Sequence, residues 1–174
     1  MIFKFRLISD EVKDFAREVL IESDNTFLEF HKALQENLEY DEGQLASFFI
    51  TNEKWEKELQ ITLIDMMDEE SEKVITMDKT MIGDYMKKQG QRLLYVFDFF
   101  SERSFFIELS EIITNLKSQA LPKVVFSHGM PPPQIDLGVD NLDPGVDLGE
   151  DPSSPDDKLD FLSDLDDIED LPNE

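Results

Sequence analysis

Hydrophobic and polar residues alternate over the first part of the chain. Residues 2–8 place apolar side chains on one side and basic side chains on the other, which is the period-two pattern of a half-buried β-strand. The alternation returns over residues 15–21 after the polar connection Ser9–Asp14, so the two segments predict a β-hairpin. The same reasoning predicts further strands over residues 45–50, 58–64, 92–100, 105–109 and 123–127.

A repeat of three and four residues replaces the alternation after residue 26, as in an amphipathic helix. Its apolar members are Phe27, Phe30, Leu34 and Leu38. Thr26 and Glu29 have the spacing of a capping box, in which each side chain bonds to the backbone amide of the other residue. The sequence therefore predicts a helix that begins at Thr26 and stops at residues 40–43.

A second, shorter helix is predicted over residues 80–88, with Asp78 or Thr80 as its N-cap. Residues 111–118 fit either the end of a strand or a helix. Hairpins dominate, and no alternation of strand, helix and strand is sustained. The predicted fold class is therefore α+β, with a mainly antiparallel sheet, one main amphipathic helix and one or two short helices.

Composition divides the chain into two regions. Of the 14 Phe residues, 13 precede residue 131, whereas seven of the eight Pro residues lie at or after it. Residues 131–174 carry a net charge of −14, from 15 acidic residues and one basic residue, against −10 for residues 1–130. Only the first region can bury enough apolar surface to offset chain entropy. We therefore predict a folded domain over residues 1–130 and an acidic, largely disordered tail over 131–174, with the boundary at the three prolines 131–133.

The acidic tail also contains apolar residues at a helical spacing. Residues 156–171 place Leu, Phe and Ile every three or four positions among aspartates. Such a segment can fold as an amphipathic helix in the groove of a partner. The predicted partner-binding residues are Phe161, Leu162, Leu165 and Ile168. A tail that only increases solubility and a helix that docks on its own body are the other two interpretations.

Charge and composition exclude several classes of protein. The chain has no Cys, so disulfides, thiolate nucleophiles and Cys-based metal sites are excluded, and we expect no cofactor or resident metal. Residues 1–15 lack the apolar core of a signal peptide, and the longest apolar run is Leu93–Phe97, which favours a cytoplasmic protein without membrane contact. The net charge of −24 disfavours nucleic acid, because DNA affinity depends on Lys and Arg side chains that neutralise phosphates.

Three segments, in order along the chain, resemble the blocks of one family. Residues 26–49 (TFLEFHKALQENLEYDEGQLASFF) resemble its helix-then-strand block, and residues 92–109 resemble its strand–turn–strand block with a Tyr-x-x-Asp-Phe pattern. Residues 121–134 (LPKVVFSHGMPPPQ) resemble its closing segment. This is the Ri-plasmid ORF-three-like family, also labelled transposon-passenger TnpR-like proteins. The resemblance covers about residues 1–134 and implies an α+β fold around an antiparallel sheet, with no established biochemical role.

The chain departs from the resembled pattern after the Asp-Phe pair. Members of the family commonly continue with Gly and a turn that carries Trp and a nearby His. Phe100, Arg103 and Phe105 stand at these positions here. If the Trp and His of other members form a site, this chain has lost it.

Three titratable residues are candidates for catalysis. Asp98 ends an aromatic strand, where it can transfer protons with a raised pKa or accept amide hydrogen bonds from the turn 101–104. His31 is a general base or ligand, or a half-buried side chain with one nitrogen in water. His128 precedes Gly129, and it can bind an anion or be an exposed residue at a strand end.

These patterns favour a non-catalytic protein-interaction module whose acidic tail binds a protein with a basic or apolar groove. The alternative is a mobile-element-associated accessory protein that acts on or near DNA, with Lys87, Lys88 and Arg92 as a small basic spot. A hydrolase-type enzyme that uses Asp98 and a histidine ranks third. No phosphate-binding loop, dinucleotide-binding turn, nucleophile elbow or zinc-binding helix motif is found in the sequence.

Overall fold

The structure, a computed structural model, describes residues 1–65, 74–114 and 120–135. Within these ranges the chain forms a seven-stranded sheet and two helices. In chain order they are β1 (Ile2–Ser9), β2 (Ala16–Glu22), α1 (Phe27–Leu38), β3 (Ser47–Thr51), β4 (Lys57–Thr62), α2 (Ile82–Tyr85), β5 (Arg92–Asp98), β6 (Arg103–Ile113) and β7 (Lys123–His128). The strand order is β4-β3-β5-β6-β1-β2-β7, and all neighbouring strands run antiparallel. The predicted α+β class and antiparallel sheet are confirmed.

One face of the sheet packs against α1 and forms the core. The ring of Phe30 in α1 stacks on Phe5 of β1 and on Phe48 of β3, with ring centroids 4.9 and 5.3 Å apart. All three rings are fully buried. Other core residues are Phe3, Leu7, Val19, Ile21, Phe27, Leu34, Leu38, Leu93, Tyr95, Phe97, Phe105, Ile107 and Leu109. Each large apolar side chain buried in this way contributes about 1.5–3 kcal/mol.

The first helix begins as its capping box predicts. The hydroxyl of Thr26 accepts a hydrogen bond from the Glu29 amide at 3.2 Å, and the Glu29 carboxylate accepts one from the Thr26 amide at 2.7 Å. The Thr26 amide bond is also the main reason that the pKa of Glu29 is lowered. At the other end, Glu39 adopts a left-handed conformation with φ of 57°. The predicted start and end of α1 are confirmed.

Several strand boundaries differ from the predicted ones, among them those of β5 and β6. β5 ends at Asp98 instead of residue 100, because the Asp98 side chain bonds to the following turn. β6 begins at Arg103 and continues to Ile113, where it still pairs with Ile2 of β1. Residues 111–113 are therefore strand, and residues 115–119 lie outside the described residues.

The second helix is shorter than predicted. It spans one turn, and its N-cap is Met81, whose side chain forms no capping bond. The prediction of Asp78 or Thr80 as N-cap is wrong, because the hydroxyl of Thr80 donates to the carbonyl of Thr76 at 2.7 Å instead. The amide of Gly83 donates to the carbonyl of Ser23 at 2.7 Å, so backbone contacts with the end of the β1–β2 hairpin position this turn.

Two predictions concern the tail and the membrane. The prediction of a disordered acidic tail covers residues 131–174, and of these only residues 131–135 are described. The helix predicted over residues 156–171 lies outside the described residues. In the described ranges, neither helix is long and apolar enough to span a membrane.

Candidate functional site

Asp98 directs its carboxylate into the turn that follows β5. Its Oδ1 accepts hydrogen bonds from the amides of Phe100 at 2.9 Å and Ser101 at 3.2 Å. Its Oδ2 lies 3.8 Å from Nη1 of Arg103, the first residue of β6. Acceptance of amide hydrogen bonds from this turn is one of the two roles that the sequence predicts for Asp98. Because the carboxylate binds two successive amides, it fixes the conformation of the β5–β6 turn.

Arg103 links this turn to the β1–β2 connection and to the residues after β7. Its Nε and Nη2 donate to the Glu11 carboxylate at 3.0 and 2.7 Å. Its Nη1 and Nη2 also donate to the carbonyls of Gln134 at 3.3 Å and Pro133 at 2.8 Å. The hydrogen bond with Glu11 raises the pKa of Arg103. A planar guanidinium has five donors, so it can bind a carboxylate with two hydrogen bonds and still donate to two carbonyls, whereas a lysine has only three donors.

We call residues 129–134 the strap. The hydroxyl of Tyr40 donates to the carbonyl of Pro132 at 2.5 Å, and burial raises the pKa of Tyr40, which keeps this donor protonated. The Gln134 side chain accepts from the amide of Asp41 at 2.6 Å and donates to its carbonyl at 3.1 Å. The contacts of the folded body therefore continue to Gln134, past the domain end at residue 130 that the sequence suggests.

A second arginine holds the beginning of the strap. Arg17 of β2 is 7% exposed. Its guanidinium donates to Oδ1 of Asn37 and to the carbonyls of Ala16, His128 and Gly129. Gly129 has φ of +69°, and a Cβ there would lie 2.3 Å from the carbonyl oxygen of Asp14. Only glycine fits this close approach, so the strap is fixed at both ends.

His31 faces the sheet and is 3% exposed. Its Nδ1 lies 2.8 Å from the hydroxyl of Tyr95 on β5, and this hydroxyl accepts a bond from Nε2 of Gln35 at 2.7 Å. The Tyr95 hydroxyl therefore joins the side chains of His31 and Gln35. Burial, and secondarily the charge of Lys32, lowers the pKa of His31 to about 4.

The expectation of a half-buried His31 is wrong, because its side chain is 3% exposed. His31 lies three residues before Leu34 and four before Gln35, and α1 buries both of these residues. Positions three and four apart share a helix face, so His31 belongs to the buried face.

His128 ends β7, and its side chain is exposed. Its ring lies over that of Phe126, with centroids 6.5 Å apart. Of the described residues, Asp98 bonds to the β5–β6 turn and His31 bonds to Tyr95. The structure therefore does not bring Asp98 within hydrogen-bond distance of either histidine.

Lys87 and Arg92 of the basic spot have structural contacts as well. Lys87 donates to a backbone carbonyl of α2. Arg92 donates to Glu108 at 3.2 Å, and its guanidinium lies 4.9 Å from the centre of the Trp55 ring. In the ranges that the structure describes, no group of three or more His, Asp or Glu side chains could hold a metal ion.

A pocket of about 460 Å³ opens beside the strap. The segment before β3, the end of β5, the β5–β6 turn and the end of the strap form its walls. Its apolar lining residues are Leu45, Phe97, Phe99, Phe100 and Ile135. The turn that Asp98 fixes and the strap that Arg103 binds therefore meet in one concave surface.

Comparison with known proteins agrees with this fold. The model of the plasmid pRiA4b ORF-3-like protein family matches residues 2–165. The chain belongs to this family. No curated protein matches the chain. Among solved structures, a protein of unknown function from Methanosarcina mazei Go1 is similar, with a TM-score of 0.57 and 19% identity over 72% of this chain and 68% of that chain. At this identity the likeness shows the fold alone.

Membership of the pRiA4b ORF-3-like family confirms the resemblance seen in the sequence, and the match extends beyond residue 134. The three departures from the family pattern have different environments. Phe100 is exposed at the pocket, and Arg103 binds the strap. Phe105 is buried in the core, with its ring 5.1 Å from that of Phe15 and 4.9 Å from that of Phe97.

Sequence reasoning missed the residues that hold the strap. Arg17 carried a signal, because it interrupts the apolar side of the alternation over residues 15–21. A charged residue at such a position is buried only with partners. Tyr40 and Arg103 carried no comparable signal, because their partners are backbone carbonyls at residues 132–134. Sequence spacing does not indicate such distant contacts.

Proposed function

We propose that this pRiA4b ORF-3-like protein is a non-catalytic, cytoplasmic protein-interaction module whose acidic C-terminal segment binds a protein with a basic or apolar groove. Phe161, Leu162, Leu165 and Ile168 are the residues that would make the apolar contacts. The net charge of −14 over residues 131–174 favours a basic partner. The apolar side chains supply the buried centre that stable protein interfaces require.

The observation that carries the proposal is that the polar side chains of Asp98 and Arg103 have structural partners. Asp98, one of the catalytic candidates, bonds to the β5–β6 turn, and the neighbouring Arg103 bonds to the strap. In the sequence, the rest of the acidic segment follows the strap directly. The strap fixes the position of Gln134, the residue after which that segment continues.

The buried histidine supports a non-catalytic role. At pH 7 His31 is neutral, because burial lowers its pKa to about 4. Its Nδ1 contacts the hydroxyl of Tyr95 inside the core. A general base must reach the proton of a substrate, and a side chain with 3% exposure is not accessible to one.

Affinity capture with the full chain tests the proposal. A variant with Phe161→Ala, Leu165→Ala and Ile168→Ala should lose, by about tenfold or more, the proteins that the unchanged chain enriches. A matched control with Leu137→Ala, Val139→Ala and Leu142→Ala removes the same kind of side chain elsewhere in the acidic segment. Quantitative mass spectrometry compares the three baits. Equal enrichment by all three would contradict the proposed role of residues 161–168.

A measurement of DNA binding distinguishes the proposed function from the alternative role on DNA. Labelled duplex DNA is titrated with the full chain at several salt concentrations, and with a variant that carries Lys87→Gln and Lys88→Gln. Our proposal predicts no binding at physiological salt, because the net charge is −24. Binding that weakens steeply with salt and is reduced in the variant would favour the accessory role on DNA.

A further inference from the structure

The pocket beside the strap has an apolar rim that is open to solvent. Phe100 is 99% exposed, Ile135 53%, Phe99 44% and Leu45 40%. Single exposed apolar residues are normal on protein surfaces. Here four of them line one concavity of about 460 Å³. Such clusters are typical of surfaces that bind another molecule.

The rim is held in place before any partner arrives. The Asp98 carboxylate accepts bonds from the amides of Phe100 and Ser101, which fixes the turn that carries the aromatic pair. On the opposite wall, the two hydrogen bonds between Gln134 and the backbone of Asp41 fix the end of the strap next to Ile135. A preformed site binds with a smaller loss of conformational entropy. The exposed rings therefore offer rigid contact area.

Acidic residues flank the pocket on two sides. Asp41 and Glu42 directly precede Gly43 of the lining, and Glu102 directly follows Ser101. All three acidic residues are exposed. The nearby cation, Arg103, is already bonded to Glu11 and lies 3.8 Å from Asp98. The surroundings of the apolar rim are therefore negative, in a chain whose net charge is −24.

We infer that this pocket binds an apolar side chain of a protein segment in which Lys or Arg residues flank that side chain. The apolar anchor would contact Phe99, Phe100 and Ile135, and the flanking cations would lie near Glu42 and Glu102. Charge complementarity selects this occupant, because an acidic segment would be repelled from the same rim. The pocket is a second binding surface, on the folded body, and does not depend on residues 161–168.

A pair of peptide arrays tests the inference with the full chain as the probe protein. Each peptide of the first array has one apolar residue, with two lysines before it and two lysines after it. The peptides of the second array have glutamates in place of the lysines. We expect the chain to bind the lysine array, with the strongest spots at large apolar centres. Binding to neither array, or equal binding to both, would overturn the inference.

Variants then locate the site. Phe100→Ala should weaken binding of the best lysine-flanked peptide about fivefold or more, because an exposed aromatic anchor is a typical hot spot. Phe126→Ala is the control, since Phe126 is also an exposed phenylalanine and lies on β7, outside the pocket lining. Glu42→Gln with Glu102→Gln should also weaken binding, whereas Glu36→Gln with Glu58→Gln, at two other exposed positions, should not. Equal effects of test and control variants would overturn the assignment to the pocket.

Two further results have defined meanings. The variant with alanine at residues 161, 165 and 168 should bind the peptide as well as the unchanged chain does, so this test can fail or succeed independently of the proposed function. Analytical ultracentrifugation shows whether a second copy of the chain occupies the pocket. A concentration-dependent dimer that Phe100→Ala abolishes would overturn the choice of a cationic partner.

Discussion

At the scale of single residues, the hydroxyl of Tyr95 joins α1 to the sheet. It accepts a hydrogen bond from Gln35 and contacts Nδ1 of His31, and all three side chains are buried. Burial disfavours the charged forms, so it lowers the pKa of His31 to about 4 and raises that of Tyr95. The network is therefore neutral at physiological pH and acts as a polar contact inside an apolar core.

Removal of this hydroxyl should destabilise the fold. Tyr95→Phe keeps the ring but leaves buried polar atoms of His31 and Gln35 without their partner. We expect the free energy of unfolding to fall by about 1–3 kcal/mol. Urea denaturation at pH 7 measures this value, with Tyr85→Phe as a control at a partly buried tyrosine. A similar loss in the two variants would contradict the role of the Tyr95 network.

The same histidine should make stability depend on pH. Its pKa is about 4 in the folded chain, below the ordinary value of 6.5, so the unfolded chain binds the proton more tightly. Its contribution is fully present above about pH 6.5 and is lost as the pH falls towards about 4. Between pH 7 and 4.5 the unchanged chain should lose about 2–3 kcal/mol more stability than His31→Gln. Urea denaturation at the two pH values measures the loss for each protein. If the unchanged chain and His31→Gln lose the same amount of stability, His31 is not buried in its neutral form.

At the scale of elements, local patterns predicted most of the fold. The alternation over residues 2–8 and the capping box at Thr26 depend on near neighbours, and both predictions are confirmed. The pairing of β1 with β6 joins Ile2 to Ile113, and no local pattern contains that information. The strap was missed for the same reason. Its side-chain donors lie up to 112 residues from their acceptors.

The end of the strap should depend on Arg103. Arg103→Gln removes the donors to Glu11, Pro133 and Gln134. Since charged hydrogen bonds contribute about 1.5–3 kcal/mol each, we expect the Asp41 amide, which bonds to Gln134, to exchange with solvent about tenfold faster or more. Hydrogen exchange by NMR measures this rate.

An exposed arginine provides the control for that measurement. Arg6 lies on β1 and is exposed, so Arg6→Gln should leave the exchange of the Asp41 amide unchanged. If Arg103→Gln also leaves it unchanged, the guanidinium does not hold the strap.

At the scale of the whole molecule, the net charge and the acidic surroundings of the pocket both favour a cationic partner. The net charge of −24 favours cationic partners over nucleic acid. The strap links the body to the acidic segment in sequence, and the pocket beside it has an apolar rim between acidic residues.

The most direct test of this account is a titration of the captured partner against three forms of the full chain. They are the unchanged chain, the variant with alanine at residues 161, 165 and 168, and the control with alanine at residues 137, 139 and 142. Isothermal calorimetry at low and physiological ionic strength gives each Kd. We predict that the first variant binds about tenfold more weakly or worse and the control within about twofold, with all affinities falling as salt rises. Equal affinities for the three forms would contradict the account.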